Sequence, residues 1–336
     1  MGSPSDFDFD HQTTAGLLVV AGGFEDRAIT LAKRLSKANI VAEESIVLHY
    51  ESQRSDNEPN FRFLQTRLQS LIGKEPHAVP VHADTPVQSY ARIRTKIHQI
   101  ASYVNEQTAV VDISGMTHLW ALGTIDACFS AGLRVLVAYT EARWYFPRKQ
   151  DTKRLVRTWK NHDYSAASSY LQSAALKAVH IPPEFGGNFH AGWPTCLMVF
   201  VGYEPNRTQG LVDDYAPGAL VVLYGKSPHA SLHWRTQLSR DLHEELFSQW
   251  RVREVEISTL EVDGTIAKLE EEFGVIREQY DLAIAPQCSK MQGVASYLFW
   301  RRHPEVQLLF TSPVRFNPRR YSGGARRTFV YEIGSG

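Results

Sequence analysis

The chain has 336 residues, enough for two domains that each bury a core, and its 36 Lys and Arg balance its 36 Asp and Glu. That balance excludes the global basic field that drives unspecific nucleic-acid binding, so any basic site is local. Cys128, Cys196 and Cys288 lie far apart with no C-x-x-C pair, which excludes a disulfide framework or zinc knuckle and fits a reducing cytoplasm.

In chain order, Met1 to Thr14 is polar and acidic, without the basic start or apolar stretch of a secretory signal. Apolar runs such as Gly16 to Ala21 are strand-sized, well short of the roughly 18 residues that cross a bilayer, so no membrane association is expected. Strands are predicted at Leu17 to Ala21, Ser45 to Tyr50, Ala78 to His82, Ala109 to Ile113 and Arg134 to Tyr139. Helical periods fill the gaps at Asp26 to Ala38, Asn60 to Ile72, Val87 to Asn105 and His118 to Ala131. Arg148 to Lys160 is strongly basic, Ser165 to Val179 has helix-forming composition, and Ile181 to Gly187 reads as a loop.

The pattern then starts again. Strands are predicted at Cys196 to Gly202, Ala219 to Tyr224, Val252 to Ile257, Leu282 to Ala285 and Val306 to Thr311. Helices are predicted at Leu232 to Phe247, Asp263 to Tyr280 and Met291 to Arg302, with a truncated helix in Thr208 to Gly218 and an added edge strand near Thr328 to Glu332. Alternating strands and helices mean a parallel sheet covered on both faces. The expected fold is therefore α/β: two tandem Rossmann-like three-layer sandwiches with mainly parallel sheets, over residues 15–149 and 195–334, joined by a connector over 150–194.

Internal repetition supports that division. Gly23-Phe24-Glu25-Asp26-Arg27 after the first strand is echoed by Gly202-Tyr203-Glu204-Pro205-Asn206-Arg207. Asp112 to His118 before a helix is echoed by Pro286 to Lys290, and Arg143 to Arg148 by Arg315 to Arg319, in the same order. These segments fall at the carboxyl ends of predicted strands, where a parallel sheet binds ligands and helix N-termini point backbone N–H groups outward. The candidate ligand residues are accordingly Glu25, Arg27, Asp112, Ser114, Gly115, Thr117, His118 and Arg143, with Glu204, Arg207, Ser289, Lys290 and Arg315 in the second half. A duplicated unit also offers a cleft between its halves. Other roles stay open: Glu25 and Glu204 suit the first turn of a helix, and Arg27 and Arg207 suit pairing with neighbouring acids. No G-x-x-x-x-G-K-[ST] loop exists, Gly22-Gly23 does not complete G-x-G-x-x-G, and His229 with His233 has no evident third metal ligand, so neither a cofactor nor a metal is expected. Cys128, between Ala127 and Phe129, reads as core.

Asp112-Ile113-Ser114-Gly115-Met116-Thr117-His118, leading into a helix rich in small residues, resembles the ligand loop of CARF domains, Rossmann-like sensors of cyclic oligonucleotides in prokaryotic defence. Gln287 to Met291 looks like a degenerate copy, and two such halves resemble the tandem arrangement of SAVED sensors. The resemblance implies a ligand loop at Ser114, Gly115, Thr117 and His118, with Ser289 and Lys290 opposite. The implied function is a nucleotide or cyclic-oligonucleotide sensor in antiviral defence, whose partners are an anionic nucleotide-like ligand, an effector protein and a second copy of the chain. One alternative is a ring nuclease or nucleoside-processing hydrolase using Glu25, Asp112 or His118 as acid or base. Another is a scaffold subunit of a defence complex.

Overall fold

A computed structural model of the protein describes residues 13–35, 40–173 and 175–334. The acidic start up to residue 12 and the predicted helix end at Ala38 lie outside the described residues. The chain divides into two compact units, one formed by residues up to Trp144 together with those from Ser322 onward, the other by Tyr145–Tyr321.

In the first unit the strands are β1 (Thr13–Ala21), β2 (Ile40–Tyr50), β3 (His77–Val81), β4 (Thr108–Asp112) and β5 (Arg134–Tyr145). The helices α1 (Thr30–Arg34), α2 (Arg54–Ile72), α3 (Pro86–Ala101) and α4 (His118–Ser130) alternate with them. Neighbouring strands pair in parallel in the order β5-β4-β1-β2-β3. The chain thus builds outward from β1 to one side and then returns to the other, leaving a topological switch point between β1 and β4. Leu18, Val20, Val47, Val110 and Leu136 interlock with Leu64 and Leu68 of α2 on one face of this sheet. In β1, β2, β4 and β5 the opposite period is buried as well, which is why these strands read as continuous apolar runs rather than alternating ones.

The second unit begins with α5 (Thr152–Lys160), α6 (Tyr164–Ser168) and β6 (Leu176–His180). There follow β7 (Thr195–Val201), α7 (Pro205–Tyr215), β8 (Ala219–Lys226), α8 (Trp234–Ser248), β9 (Val252–Ser258), α9 (Val262–Ile276), β10 (Asp281–Pro286), α10 (Lys290–Arg302), β11 (Gln307–Leu308) and β12 (Phe310–Pro313). Its five-stranded sheet has the order β11-β10-β7-β8-β9, again all parallel. The strand order therefore matches that of the first unit, position for position, with β7 and β10 flanking the switch point.

Five elements differ from the sequence expectation. The predicted edge strand near Thr328 belongs to β13 (Ser322–Ile333), which lies beside β5 in the first sheet and not in the second. Val330 packs into the first core with Leu136 and Ala138, and the Thr328 and Thr140 hydroxyls meet at 2.9 Å. The fifth strand of the second unit breaks at Leu309, so that Phe310–Pro313 leaves the parallel sheet and pairs antiparallel with β6. That pairing also claims residues 176–179, the end of the stretch expected to be helical up to Val179. The truncated helix instead has 11 residues, because Pro205 at its first position suits a helix start and Ala216 ends it in the left-handed region at φ 48°. Conversely, the long first helix is a 3-10 turn over Asp26–Ile29 followed by five residues of α-helix.

No described helix is long and apolar enough to cross a membrane.

Candidate functional site

The loop after β1 and the loop after β4 meet at the carboxyl edge of the first sheet. Gly23 makes this contact possible: a Cβ there would stand 2.4 Å from the Gly115 carbonyl oxygen, inside any tolerable separation. Gly115 in turn lies against the Ala21 carbonyl, 2.6 Å from where its own Cβ would be. Tyr50, at the end of β2, fixes the far side of the loop by donating its hydroxyl to the Gly115 carbonyl at 3.1 Å and accepting the Thr117 N–H at 3.0 Å. Asn60 of α2 holds the other loop, its Nδ2 donating to the carbonyls of Gly23 at 2.6 Å and Glu25 at 3.1 Å.

Beneath these loops lies a buried polar cluster. Arg27 forks onto Glu25, with Nε to Oε2 at 2.7 Å and Nη2 to Oε1 at 3.0 Å, and its Nη1 donates to the Tyr139 hydroxyl at 3.1 Å. Ser322 donates its hydroxyl to the same Glu25 carboxylate. Arg27 is 4% exposed and Glu25 8%, so both charges are spent on each other rather than offered to a ligand. Asp112 is 1% exposed. Its Oδ1 accepts the Ser114 N–H at 3.0 Å, capping the turn Ile113–Gly115, while its Oδ2 has no hydrogen-bond partner among the described residues. Burial pushes this carboxyl up to about 6, against the opposing pull of the Ser114 hydrogen bonds and the Arg27 charge. The Ser114 hydroxyl is also internal and accepts the Thr140 N–H at 2.8 Å.

Solvent is met one turn later. Thr117 and His118 are half-buried at the start of α4, a 13-residue helix whose N-cap side chain makes no capping hydrogen bond. Arg143 is exposed toward the end of β5. The structure therefore brings Glu25, Arg27, Asp112, Ser114 and Gly115 into one interior network, sets Thr117 and His118 above it at a helix N-terminus, and leaves Arg143 outside.

In the second unit the same positions carry related chemistry. Gly202 comes close to the Gln287 carbonyl, 3.0 Å from its notional Cβ, as Gly23 does to Gly115. Glu204 accepts from Arg207 Nη1 at 2.6 Å and from the Ser173 hydroxyl at 2.5 Å, again an Arg and a Ser on one carboxylate, here half-buried. The helix start differs. Ser289 accepts the Gln292 N–H at 3.2 Å while Gln292 Oε1 accepts the Ser289 N–H at 3.2 Å, a reciprocal capping box, and the Ser289 hydroxyl donates to the Thr259 carbonyl at 2.7 Å. Ser289 is thus engaged by its own helix, Lys290 beside it is half-buried, and Arg315 is exposed beyond β12. His243, fully buried, sets Nδ1 against the Ser239 carbonyl at 2.8 Å and Nε2 against the Thr208 hydroxyl at 3.1 Å; burial pushes its pKa down to about 4.

Four residues of the first network carry no motif signal: Tyr50, Asn60, Tyr139 and Ser322. The two tyrosines sit at the carboxyl ends of predicted strands, which is a readable cue; Asn60 and Ser322 reach the site only through tertiary folding. Cys128 is wholly buried and its thiol is pushed far above the usual range by that burial, consistent with a packing role. Among the described residues no group of His, Cys, Asp and Glu is arranged to hold a metal ion.

No family model matches the chain, and no curated protein matches it. Solved structures are similar at low identity. Csm6 of Enterococcus italicus bound to cyclic hexa-2'-fluoro-hexa-dAMP is 11% identical over 37% of this chain and 34% of its own, with a TM-score of 0.29. This chain thus matches about a third of the length of Csm6. A type III CRISPR defence DNA nuclease activated by cyclic oligoadenylate is 9% identical over 93% of this chain and 68% of its own, with a TM-score of 0.47. UDP-GlcNAc 2-epimerase from Neisseria meningitidis bound to UDP-GlcNAc is 12% identical over 83% and 79%, with a TM-score of 0.26.

Proposed function

We propose that the chain is a binding module for a nucleotide-like anion, a sensor of the CARF type whose ligand loop is Gly115 to His118, and that its two units arose by duplication. The observation that carries this reading is the contrast between two equivalent helix starts. At α10 the Ser289 and Gln292 N–H groups are satisfied by a reciprocal capping box, whereas at α4 the N-cap Thr117 side chain makes no capping hydrogen bond and Thr117 and His118 are half-buried. First-turn N–H groups and the positive end of a helix dipole favour an anionic group, and the switch point beside β1 and β4 is where open parallel sheets take nucleotides. Binding is favoured over cleavage because two of the three acid and base candidates, Glu25 and Asp112, lie beneath the loop, 8% and 1% exposed, which leaves His118 without a carboxylate partner of that set at the surface. In this reading the Glu25–Arg27 and Asp112–Ser114 network holds the loop in shape, and Thr117, His118 and the α4 backbone meet the ligand. Occupancy would pass to an effector protein in antiviral defence.

The test is incubation of the whole chain with ATP, linear and cyclic oligoadenylates and UDP-GlcNAc, followed by recovery of each compound by chromatography. Intact retention of one of them supports the sensor reading. Recovery as cleaved product assigns an enzyme, and recovery of all of them in the unbound fraction leaves a scaffold.

A further inference from the structure

The charge balance of the whole chain conceals a local excess in the second unit. Residues 148–160 hold Arg148, Lys149, Lys153, Arg154, Arg157 and Lys160 against the single acid Asp151, and residues 314–321 hold Arg315, Arg319 and Arg320 with no acid. These segments lie more than 150 positions apart, yet the fold joins them through two aromatic rings. Arg320 lies over Phe146 at 5.1 Å and over Tyr170 at 5.8 Å, Arg148 over Phe146 at 5.2 Å, and Arg154 over Tyr170 at 5.9 Å.

The reason for this assembly is the amphipathic α5. Leu155 and Trp159 bury its inner face against Leu238 and Leu242 of α8, which turns Lys153, Arg154 and Arg157 outward. Lys160 is bound to Glu244 at 2.5 Å, but Lys153, Arg154, Arg157, Arg315, Arg319 and Arg320 form no ion pair among the described residues. Cations that neutralised local acids would be paired; these six are not, and Arg154 and Arg320 are stacked on rings instead. Tyr164, 45% exposed and packed on Trp159 at 4.9 Å between ring centres, adds an open aromatic face to the same stretch.

We propose that this basic, aromatic surface of the second unit binds single-stranded nucleic acid, independently of the loop after β4. Forked guanidinium groups match phosphate oxygens, and their planes, like the Tyr164 ring, offer platforms on which unpaired bases stack. An acidic polypeptide would satisfy the charge but has no use for the exposed ring or the guanidinium planes.

The experiment measures anisotropy of a fluorescein-labelled 12-nucleotide single strand titrated with the full chain, at two salt concentrations, with polyglutamate as competitor. Four phosphate contacts predict an affinity lower by about fiftyfold at 200 mM than at 50 mM salt, from a slope of roughly −0.7 per phosphate. Arg154→Gln with Arg157→Gln, both at exposed positions, is expected to flatten that slope by about 1.4. Tyr164→Ala is expected to weaken the oligonucleotide about fivefold or more through lost stacking, without changing the slope. Circular dichroism and nucleotide retention at the first unit report whether each variant is folded and keep this proposal separable from the sensor reading. Absence of oligonucleotide binding, a slope unmoved in the folded double variant, or displacement by polyglutamate at equal charge concentration would overturn it, the last in favour of an acidic protein partner.

Discussion

Arg27 and Glu25 share two parallel hydrogen bonds, at 2.7 and 3.0 Å, in a pocket where neither side chain is a tenth exposed. The pair is two residues apart in sequence but is completed from far away by Tyr139 and Ser322. A buried pair is a poor source of net stability and a severe liability when halved, because the survivor keeps its desolvation cost. Arg27→Met is therefore expected to destabilise the protein by about 3–5 kcal/mol, read from urea unfolding, and the added change Glu25→Gln is expected to restore part of that loss. A double variant whose destabilisation equals the sum of those of Arg27→Met and Glu25→Gln alone would show that the charges are not coupled.

Two buried groups set opposite pH dependences in the two units. Asp112 has a folded pKa raised from 3.8 to about 6, so the folded state holds the extra proton between those values and its contribution to stability is lost as pH rises through about 6. Asp112→Asn removes that loss, and its stability relative to the parent is expected to improve by about 3 kcal/mol from pH 3.5 to 7. His243 has a folded pKa lowered from 6.5 to about 4, so its contribution is present above 6.5 and lost as pH falls toward 4. His243→Gln is expected to lessen acid destabilisation over that window by about 3 kcal/mol. Urea midpoints across pH 3.5–7.5 check both signs, and parallel curves for parent and variants would contradict both.

Gly23 and Gly202 occupy matching positions with unequal room. An added methyl would sit 2.4 Å from the Gly115 carbonyl oxygen in one unit and 3.0 Å from the Gln287 carbonyl oxygen in the other. Gly23→Ala must move the loop after β4, so it is expected to cost about 2 kcal/mol or more, in the range of core overpacking, and, under the proposed sensor reading, to lower nucleotide retention. Gly202→Ala is expected to cost less than half as much and to leave retention intact. Thermal unfolding and equilibrium dialysis give the comparison.

Strands such as β1 and β7 were legible because both their faces are buried, so that Leu17 to Ala21 and Cys196 to Val201 are apolar without alternation. The repeated Gly and Glu signatures located both loop clusters for the same local reason: a close backbone approach needs glycine, and an acid suits the turn that follows. What the residues could not disclose was partnership over distance. Nothing in Thr328 or Val330 states that their strand joins β5 rather than the sheet before it, since the choice rests on the shape of the first core. Likewise Arg27 looks the same in sequence whether it faces a phosphate or Glu25, and only the burial imposed by Tyr139 and Ser322 decides. The basic stretch after Arg148 was plain as charge, while its union with Arg320 required the fold.

The most direct measurement is calorimetric titration of the parent, His118→Ala and Ser289→Ala with the nucleotide that chromatography shows to be retained. The parent is expected to bind it, His118→Ala to bind at least about tenfold more weakly for loss of one charge-assisted contact, and Ser289→Ala to bind as the parent does while unfolding about 1 kcal/mol more easily for want of its cap. Undiminished binding by His118→Ala together with loss of binding in Ser289→Ala would place the ligand at α10 and contradict the account.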